Sequence, residues 1–454
     1  MENAAAGYVR MYALFIMMGF MLFNSGAAHS ADKRGWVDAR DYGAKGDGVT
    51  DDTAALQAAI SAGKIIYIPA GKYLVTAPLN VRGWRIIYGA GRDSTVLKAG
   101  NWLSDFVIKS VDGNSRRWMP YSVISDLTID GGSSASALGG IYASYITQWV
   151  FERIVIYNFH NPDAVGLHLE NAFQIAHRDV TIRMGSFSAG KKGEAAFKVS
   201  AAPDGIHTTH ITYDNCLAQF TGTAYYLAPL GNRGGEMTIR QSAAGIVDYG
   251  VKIKENHRDV RVENTLIENA SAGGIWATSD IPDGIRSLTL ENIRLWETTI
   301  GVVANNVTGL RMRQLQFVGD DPDGHTMYRI NNTKRVDWDY EDVELTAYGA
   351  VLDPALSVNP RITRFFLNDP APSVAAGARR HTFITQATGP LTITRFKDGF
   401  QGQEITIIFP DSNVTLNETG NIRISGSSFR PPPNTVMTFI FDGNNWLEKA
   451  RSVN

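Results

Sequence analysis

The sequence predicts an all-β chain: a single-stranded parallel β-helix with an N-terminal capping helix and a small C-terminal antiparallel β domain. Two interleaved repeats predict it. A phrase of Gly or Ala followed by apolar-x-apolar returns at Gly140, Gly166, Ala196, Ala224, Gly250, Gly274 and Gly301. Between its copies runs a second alternating phrase, starting at Asp126, Arg153, Asp179, His210, Glu236, Asp259, Ser287 and Gly309. Both have the period of two that marks a half-buried strand. Two strand phrases of one common period mean that each turn of chain lays down at least two strands and the next turn repeats them one level up, burying a shared core. A helical repeat fails because the apolar spacing is two rather than three to four, and because the repeats are rich in Val, Ile, Thr and Gly.

Composition agrees. The chain has 454 residues, a formal net charge of -2, 19% charged residues and 44 glycines. That length exceeds an ordinary single domain, but a solenoid core grows along one axis. No Lys/Arg run or basic balance suggests a nucleic-acid partner. The one cysteine, Cys216, excludes an internal disulfide, and in YDNCLAQF it reads as a small buried residue.

Taken in order, residues 1–30 have the plan of a secretory signal peptide: Arg10, an apolar run from Met11 to Phe23, then small residues with Ala28 and Ser30 before a cut near Ala31. The apolar run is short for a membrane span, so no span is expected after signal removal, an uncleaved anchor being the competing reading. Location is expected to be secreted or periplasmic. Residues 31–345 are assigned to the β-helix. They open with DYGAKGDGVTDDTAALQAAI, in which Asp51, Asp52 and Thr53 can cap a helix over Ala54–Ile60 that covers the first coil's open edge. Then IIYIPAGKYLV reads as strand, Pro-Gly turn, strand. The glycines Gly89–Gly91 form a turn, and with no long helix following they are not a dinucleotide fingerprint.

This entry segment resembles that of the pectate-lyase-like right-handed β-helix superfamily, which includes plant-polysaccharide lyases, rhamnogalacturonase- and epimerase-like proteins and phage tailspike depolymerases. The matching residues are Asp41, Gly43, Ala44, Gly46, Asp47, Gly48, Thr50 to Thr53, Pro69, Gly71 and Tyr73. The resemblance implies a right-handed single-stranded parallel β-helix and a carbohydrate partner. The chain has no counterpart of the pectate-lyase arginine motif, the paired aspartates of polygalacturonases or the DPHE of alginate epimerases.

In the first phrase the apolar residues point inward, leaving two outward columns. One is Tyr142, His168, Lys198, Tyr226, Lys252, Trp276, Val303; its neighbour is Ser144, Glu170, Ser200, Ala228, Lys254, Thr278, Asn305. Five coils span roughly 20 Å, the length of several sugar rings. The second phrase gives a Thr-rich column starting Thr128, Val155, Thr181, Thr212 and a charged one starting Asp130, Tyr157, Arg183, Asp214, read as a solvated sheet face. Asn158, Asn215, Asn264 and Asn292 follow it and read as a corner ladder.

Near Gly319, VGDDPDGHT breaks the rhythm. Asp320, Asp321, Asp323 and Gly324 mimic the head of a calcium loop, but Pro322 interrupts it and the closing Glu is missing, so a plain turn is expected and no metal or other cofactor. Residues 346–454 hold a linker, to about Pro360, and a C-terminal domain of short alternating strands with a hairpin turn at Asp442. It resembles the modules behind tailspike β-helices, which implies a homotrimer.

The first-phrase face is the candidate site. Aromatic rings stack on sugars, and cations attract uronic-acid carboxylates. β-Elimination needs a cation on the carboxylate and a base for the C5 proton. Lys198 or Lys252 can neutralise, His168 or Tyr226 can act as base or acid, and Glu170 can orient His168 or Lys198. Tyr142, Glu170, Lys254 and Trp276 are the expected substrate-binding residues. Glycoside hydrolysis needs two carboxylates, and Glu170 would find its partner among Asp163, Glu194 and Asp204. A non-catalytic carbohydrate-binding or structural surface protein is the reading from another class.

Overall fold

The computed structural model describes residues 35–452 except 115, 133, 202–207, 229–233, 319–325, 339–340, 344–348, 353–361, 365–369, 373, 375–379, 386, 388, 398 and 400. The signal-peptide assignment, Asp204 and the calcium-like loop at Asp320 to Gly324 lie outside the described residues.

Successive coils build three parallel ladders. The first carries the Gly/Ala phrase: Asn80, Lys109, Tyr142, His168, Lys198, Tyr226, Lys252, Trp276, Val303 and Arg329 stand in unbroken register. The second runs Leu97, Ile129, Ile156, Ile182, Ala218, Ala244, Ile267, Leu295, Phe317. The third runs Ile66, Ile87, Ile124, Phe151, His177, Tyr213, Ile239, Val262, Leu290, Met312. The inward residues of all three merge into one buried cluster. The fold class is therefore the expected one: an all-β parallel solenoid.

The second-phrase column needs correction. Thr181 pairs with Leu217, whereas Thr212 pairs with Ala176 and Thr238. The copies at Asp126, Arg153 and Asp179 thus belong to one ladder and those from His210 onward to another. The same holds for its charged neighbour: Arg183 pairs with Gln219, whereas Asp214 joins Glu152, Arg178, Arg240, Glu263, Glu291 and Arg313. Asp126, His210 and Asp259 all have left-handed backbone, with φ of 59°, 57° and 53°. Each corner leads into an alternating strand, so two corners yield indistinguishable phrases. Asn158, Asn215, Asn264 and Asn292 are all left-handed, as their residue type favours. Asn292 donates to the Asn264 side chain at 2.7 Å, while Asn158 donates to Asp130 and Asn215 to Asp179.

A helix spans Thr53–Ala62 and packs Leu56, Ala59 and Ile60 into the core, against the strands Trp36–Asp38, Gly71–Val75 and Leu79–Val81. The capping expectation is not met at the N-cap, which makes no side-chain capping bond. Asp51 accepts from the Thr53 N–H and hydroxyl. Asp52, at the N-cap position, instead turns its buried carboxylate onto the Lys45 and Gly46 N–H groups, fixing the glycine-rich turn. Cys216 is buried, as expected.

The glycine that starts the phrase is a packing requirement. A Cβ on Gly166 would lie 2.5 Å from Ile182 Cγ2, and one on Gly274 2.4 Å from Leu295 Cδ2. In the two coils where the second ladder carries alanine, Ala218 and Ala244, the phrase starts with Ala196 and Ala224. Gly166→Ala is expected to destabilise the chain by about 1–3 kcal/mol in urea unfolding through overpacking. Ile182→Ala in the same chain should recover part of that loss, a coupling that independent sites would not show.

Among the described residues, His177 and His257 are fully buried. His177 lies between Phe151 and Tyr213, with ring centroids 5.4 and 4.4 Å away, and its Nδ1 meets the Thr212 carbonyl at 3.1 Å. Burial lowers its pKa from 6.5 to about 3, and that of His257 to about 4. Because the unfolded chain protonates first, stability is full above the unfolded pKa of 6.5 and falls as pH drops from there toward 3–4. The expected slope is up to about 1.4 kcal/mol per pH unit for each histidine. Denaturant unfolding of the protein and of His177→Phe across that window checks it: the variant should show the shallower slope.

Toward the C-terminus, residues from Val374 to Trp446 form a second buried cluster. Thr435–Phe441 pairs antiparallel with Glu404–Phe409 and with Trp446–Ser452, the latter through the expected turn, where Asp442 accepts from Asn444 and Asn445. Arg380–Ile384 pairs parallel with Glu404–Phe409 on one side and with Ile362–Arg364 on the other.

Candidate active site

The first ladder brings the predicted residues together. Tyr142, His168, Lys198, Tyr226, Lys252 and Trp276 all stand half-buried in successive coils, with Ile141, Leu167, Phe197, Tyr225, Val251 and Ile275 buried beside them. Alternation along each strand dictates this: once the apolar residue faces the core, the next must face out. Of the neighbouring column, Ser144, Glu170 and Ser200 are in register. Lys254 follows Ile253 and donates its N–H to the Leu227 carbonyl.

The polar contacts link adjacent coils. The Tyr142 hydroxyl donates to Glu170 Oε2 at 2.6 Å, and the His168 ring stands edge-on to Tyr142, centroids 5.3 Å apart. His168 Nε2 shares a 2.8 Å hydrogen bond with the Ser200 hydroxyl. Lys198 Nζ donates to both oxygens of Glu194, at 2.8 and 2.7 Å, and lies 5.5 Å from the Tyr226 ring centre. On the other side of that ring, Lys252 Nζ is 5.3 Å away and lies 4.4 Å over Tyr249, which in turn packs edge-on to Trp276. Glu170 therefore orients Tyr142 rather than His168 or Lys198, and Glu194 is the group that orients Lys198.

The environment sets the protonation states. Burial, then the Lys198 charge, lowers His168 to about 4, so the ring is neutral at pH 7. Burial, then Glu194 and Glu255, raises the Tyr226 hydroxyl, which keeps its proton. Burial and Lys254 lower Lys252. Tyr142 is raised by burial and by its bond to Glu170.

Sequence reasoning missed Phe106, Lys109 and Tyr249. Lys109 is in register with Tyr142 and bonds Asp105 at 2.8 Å. Tyr249 occupies the column one place before the phrase, together with Phe106, Gly139, Val165, Ala195, Thr223 and Gly273. Reading one position further upstream of each Gly or Ala would have found it. Among the carboxylates considered for hydrolysis, Asp163 is exposed and accepts no side-chain contact from the face, its own N–H bonding Asn161. Glu194 does reach the face.

One edge of the face is bordered by longer connections where the Tyr142, His168 and Lys198 strands begin. Residues 131–138, 158–164 and 184–194 separate the second ladder from the first, whereas three-residue corners, 220–222 and 246–248, suffice in the next coils. In the 184–194 connection, Lys191 bonds Asp248 and Ser271 further along the solenoid, and Phe187 stacks edge-on to Phe220.

Residues 36–216 match the family model described as rhamnogalacturonase A/epimerase, pectate lyase-like. A glucan 1,3-beta-glucosidase of Cochliobolus carbonum is 26% identical over 308 residues, 60% of this chain and 37% of the relative. Alginate lyase 7 of Azotobacter vinelandii is 39% identical over 124 residues, 24% of this chain and 14% of the relative. The chain thus spans well under half the length of these relatives. Among solved structures, a family 28 exopolygalacturonase of Yersinia enterocolitica aligns with a TM-score of 0.53 at 13% identity, covering 85% of this chain and 78% of that one, a likeness of fold.

Proposed function

We propose that this chain, whose residues 36–216 match the pectate-lyase-like family model, is an exported carbohydrate-active enzyme of the pectate-lyase-like parallel β-helix superfamily that cleaves an acidic polysaccharide by β-elimination. The observation that carries the reading is the row His168–Lys198–Tyr226. A neutral imidazole and a protonated phenol flank a lysine, each one coil away, on an axial strip of aromatic and cationic side chains.

Lys198, two of its N–H groups held by Glu194, keeps a third for the uronate carboxylate and makes the adjacent C5 proton acidic. His168 accepts that proton. The C5–H electron pair forms the C4=C5 double bond, the C4–O bond breaks, and Tyr226 protonates the departing oxygen. The neighbouring rows are about 4.8 Å away on each side, within reach of one sugar ring. Lys252 and Lys254 meet the carboxylate of the next unit, while Tyr142, Tyr249 and Trp276 stack on rings. Glu170 holds Tyr142 in place. Because His168 must be unprotonated and Tyr226 protonated, the rate is expected to fall on an acid limb near pH 4 and on an alkaline limb that the raised Tyr226 hydroxyl pushes above pH 10.

The test is a panel of uronic-acid polymers. Elimination produces an ultraviolet-absorbing unsaturated uronate, and this reading expects that absorbance to rise. New reducing ends without it would replace the reading with hydrolysis by Glu170 and Glu194. Neither signal, with binding retained, would make the chain a carbohydrate-binding or structural surface protein.

A further inference from the structure

We propose a second subsite for an anionic glycan, on the flank of the solenoid at its N-terminal end, built from Arg116, Arg117, Trp118 and Tyr145 together with the Trp84–Tyr121 pair. It rests on the reading that the substrate is an acidic polysaccharide, and extends that chain's path around the coil instead of along the axis.

The cations are presented by a built element. Asn114 and Arg117 exchange both backbone hydrogen bonds, at 2.9 and 3.0 Å, and the Asn114 side chain accepts from the Arg116 N–H at 3.0 Å. Both arginines are exposed, and neither makes an ion pair with a described residue. The nearby Asp112 carboxylate is taken up by Arg82 at 2.6 Å. The element is pressed against the corner that follows the candidate face: a Cβ on Gly113 would lie 2.9 Å from the Ser144 carbonyl and from Tyr145 Cβ.

The chain then continues into two aromatic pairs, the first beginning at Trp118, the residue after Arg117. Trp118 stands edge-on to Tyr145, centroids 6.2 Å apart, and Trp84 lies 4.6 Å from Tyr121 with the planes tilted by 38°. The two-residue strand Met119–Pro120 separates them, a span of roughly 10 Å, one or two sugar rings. Trp84 is 58% exposed. Trp84, Tyr121 and Tyr145 all sit at left-handed corners, with φ of 63°, 46° and 51°, a conformation that bulky residues disfavour. In the next coil the register places Gln148 beside Tyr121 and Asn171 beside Tyr145, so corner geometry alone does not call for rings here. Exposed guanidinium groups that pair with no described residue, next in sequence to Trp118, together with the exposed Trp84 ring, complement a sugar chain bearing carboxylates. Tyr145 lies three residues after Tyr142 on the strand Gly139–Thr147, which makes the subsite continuous with the candidate face.

The experiment is affinity electrophoresis of the full chain in gels containing sodium polygalacturonate or sodium alginate, with turnover of short uronate oligomers measured in parallel. Arg116→Ala/Arg117→Ala is expected to bind polymer about tenfold more weakly, as two rim charge pairs allow, while oligomer turnover is unchanged. Arg116→Lys/Arg117→Lys should recover part of the retardation, and Trp84→Ala should lose several-fold with its melting temperature intact. A wild-type chain that cleaves and is retarded, beside an alanine double variant retarded equally, overturns the subsite and leaves the parent reading standing. Equal losses on oligomer and polymer also overturn it, because these residues would then belong to the axial strip. A wild-type chain that neither polymer retards and that cleaves neither removes both proposals.

Discussion

Lys198→Ala is expected to lower kcat on a uronic-acid polymer by about 10²–10³-fold, the usual scale for removing a preorganised charge from a developing anion. The chain should stay folded, because the side chain lies on the solvent side of its strand, and its ion pair with Glu194 is only partly buried and keeps contact with water. The loss should be confined to acidic substrates. Lys252→Ala should behave differently, raising KM with kcat largely kept, since Lys252 meets a neighbouring unit and not the reacting one. Steady-state kinetics on polymer separate the two. Equal effects in both variants would place the reacting sugar between the two lysines, over Tyr226, instead of over Lys198.

Phe197→Ala is expected to cost about 3–5 kcal/mol of stability, the range for truncating a buried phenylalanine. Its ring stacks on Tyr225 at 5.1 Å with the planes 2° apart, and meets Tyr213 and His177 edge-on at 5.1 and 5.8 Å. All four are fully buried or nearly so. Alanine here leaves a void at the meeting point of three coils, and Phe197 directly precedes Lys198. Urea unfolding measures the first effect. A fall in activity larger than that of Gly166→Ala at matched stability would show that this stack also holds the catalytic row.

Much of this arrangement was legible in the sequence. The Gly/Ala phrase starts a strand at one fixed place in each coil, and a small residue is needed there against Ile182 or Leu295. That constraint locked the register, so the column from Tyr142 to Trp276 could be read without coordinates. The second phrase had no such lock. Left-handed corners at Asp126 and His210 each open an x-apolar-x-apolar strand, and the column drawn through both crossed from one ladder to another. Residue-to-residue contacts were less legible than register. That Glu194 would clamp Lys198, and Glu170 would go to Tyr142, depends on how the 184–194 connection returns to the face. Asp52 likewise looked like a cap and serves a turn, since both tasks need the same carboxylate next to free N–H groups.

The central claim is that one axial row binds and breaks a uronate chain. A crystal structure of Tyr226→Phe with a uronate oligomer tests it most directly, because removal of the phenol proton should stall cleavage and leave the chain bound. The account predicts an oligomer lying along the solenoid axis, with a carboxylate within about 4 Å of Lys198 Nζ and the reacting C5 facing His168. An oligomer seated on either of the other two ladders, or one whose carboxylates avoid Lys198 and Lys252 altogether, would contradict it.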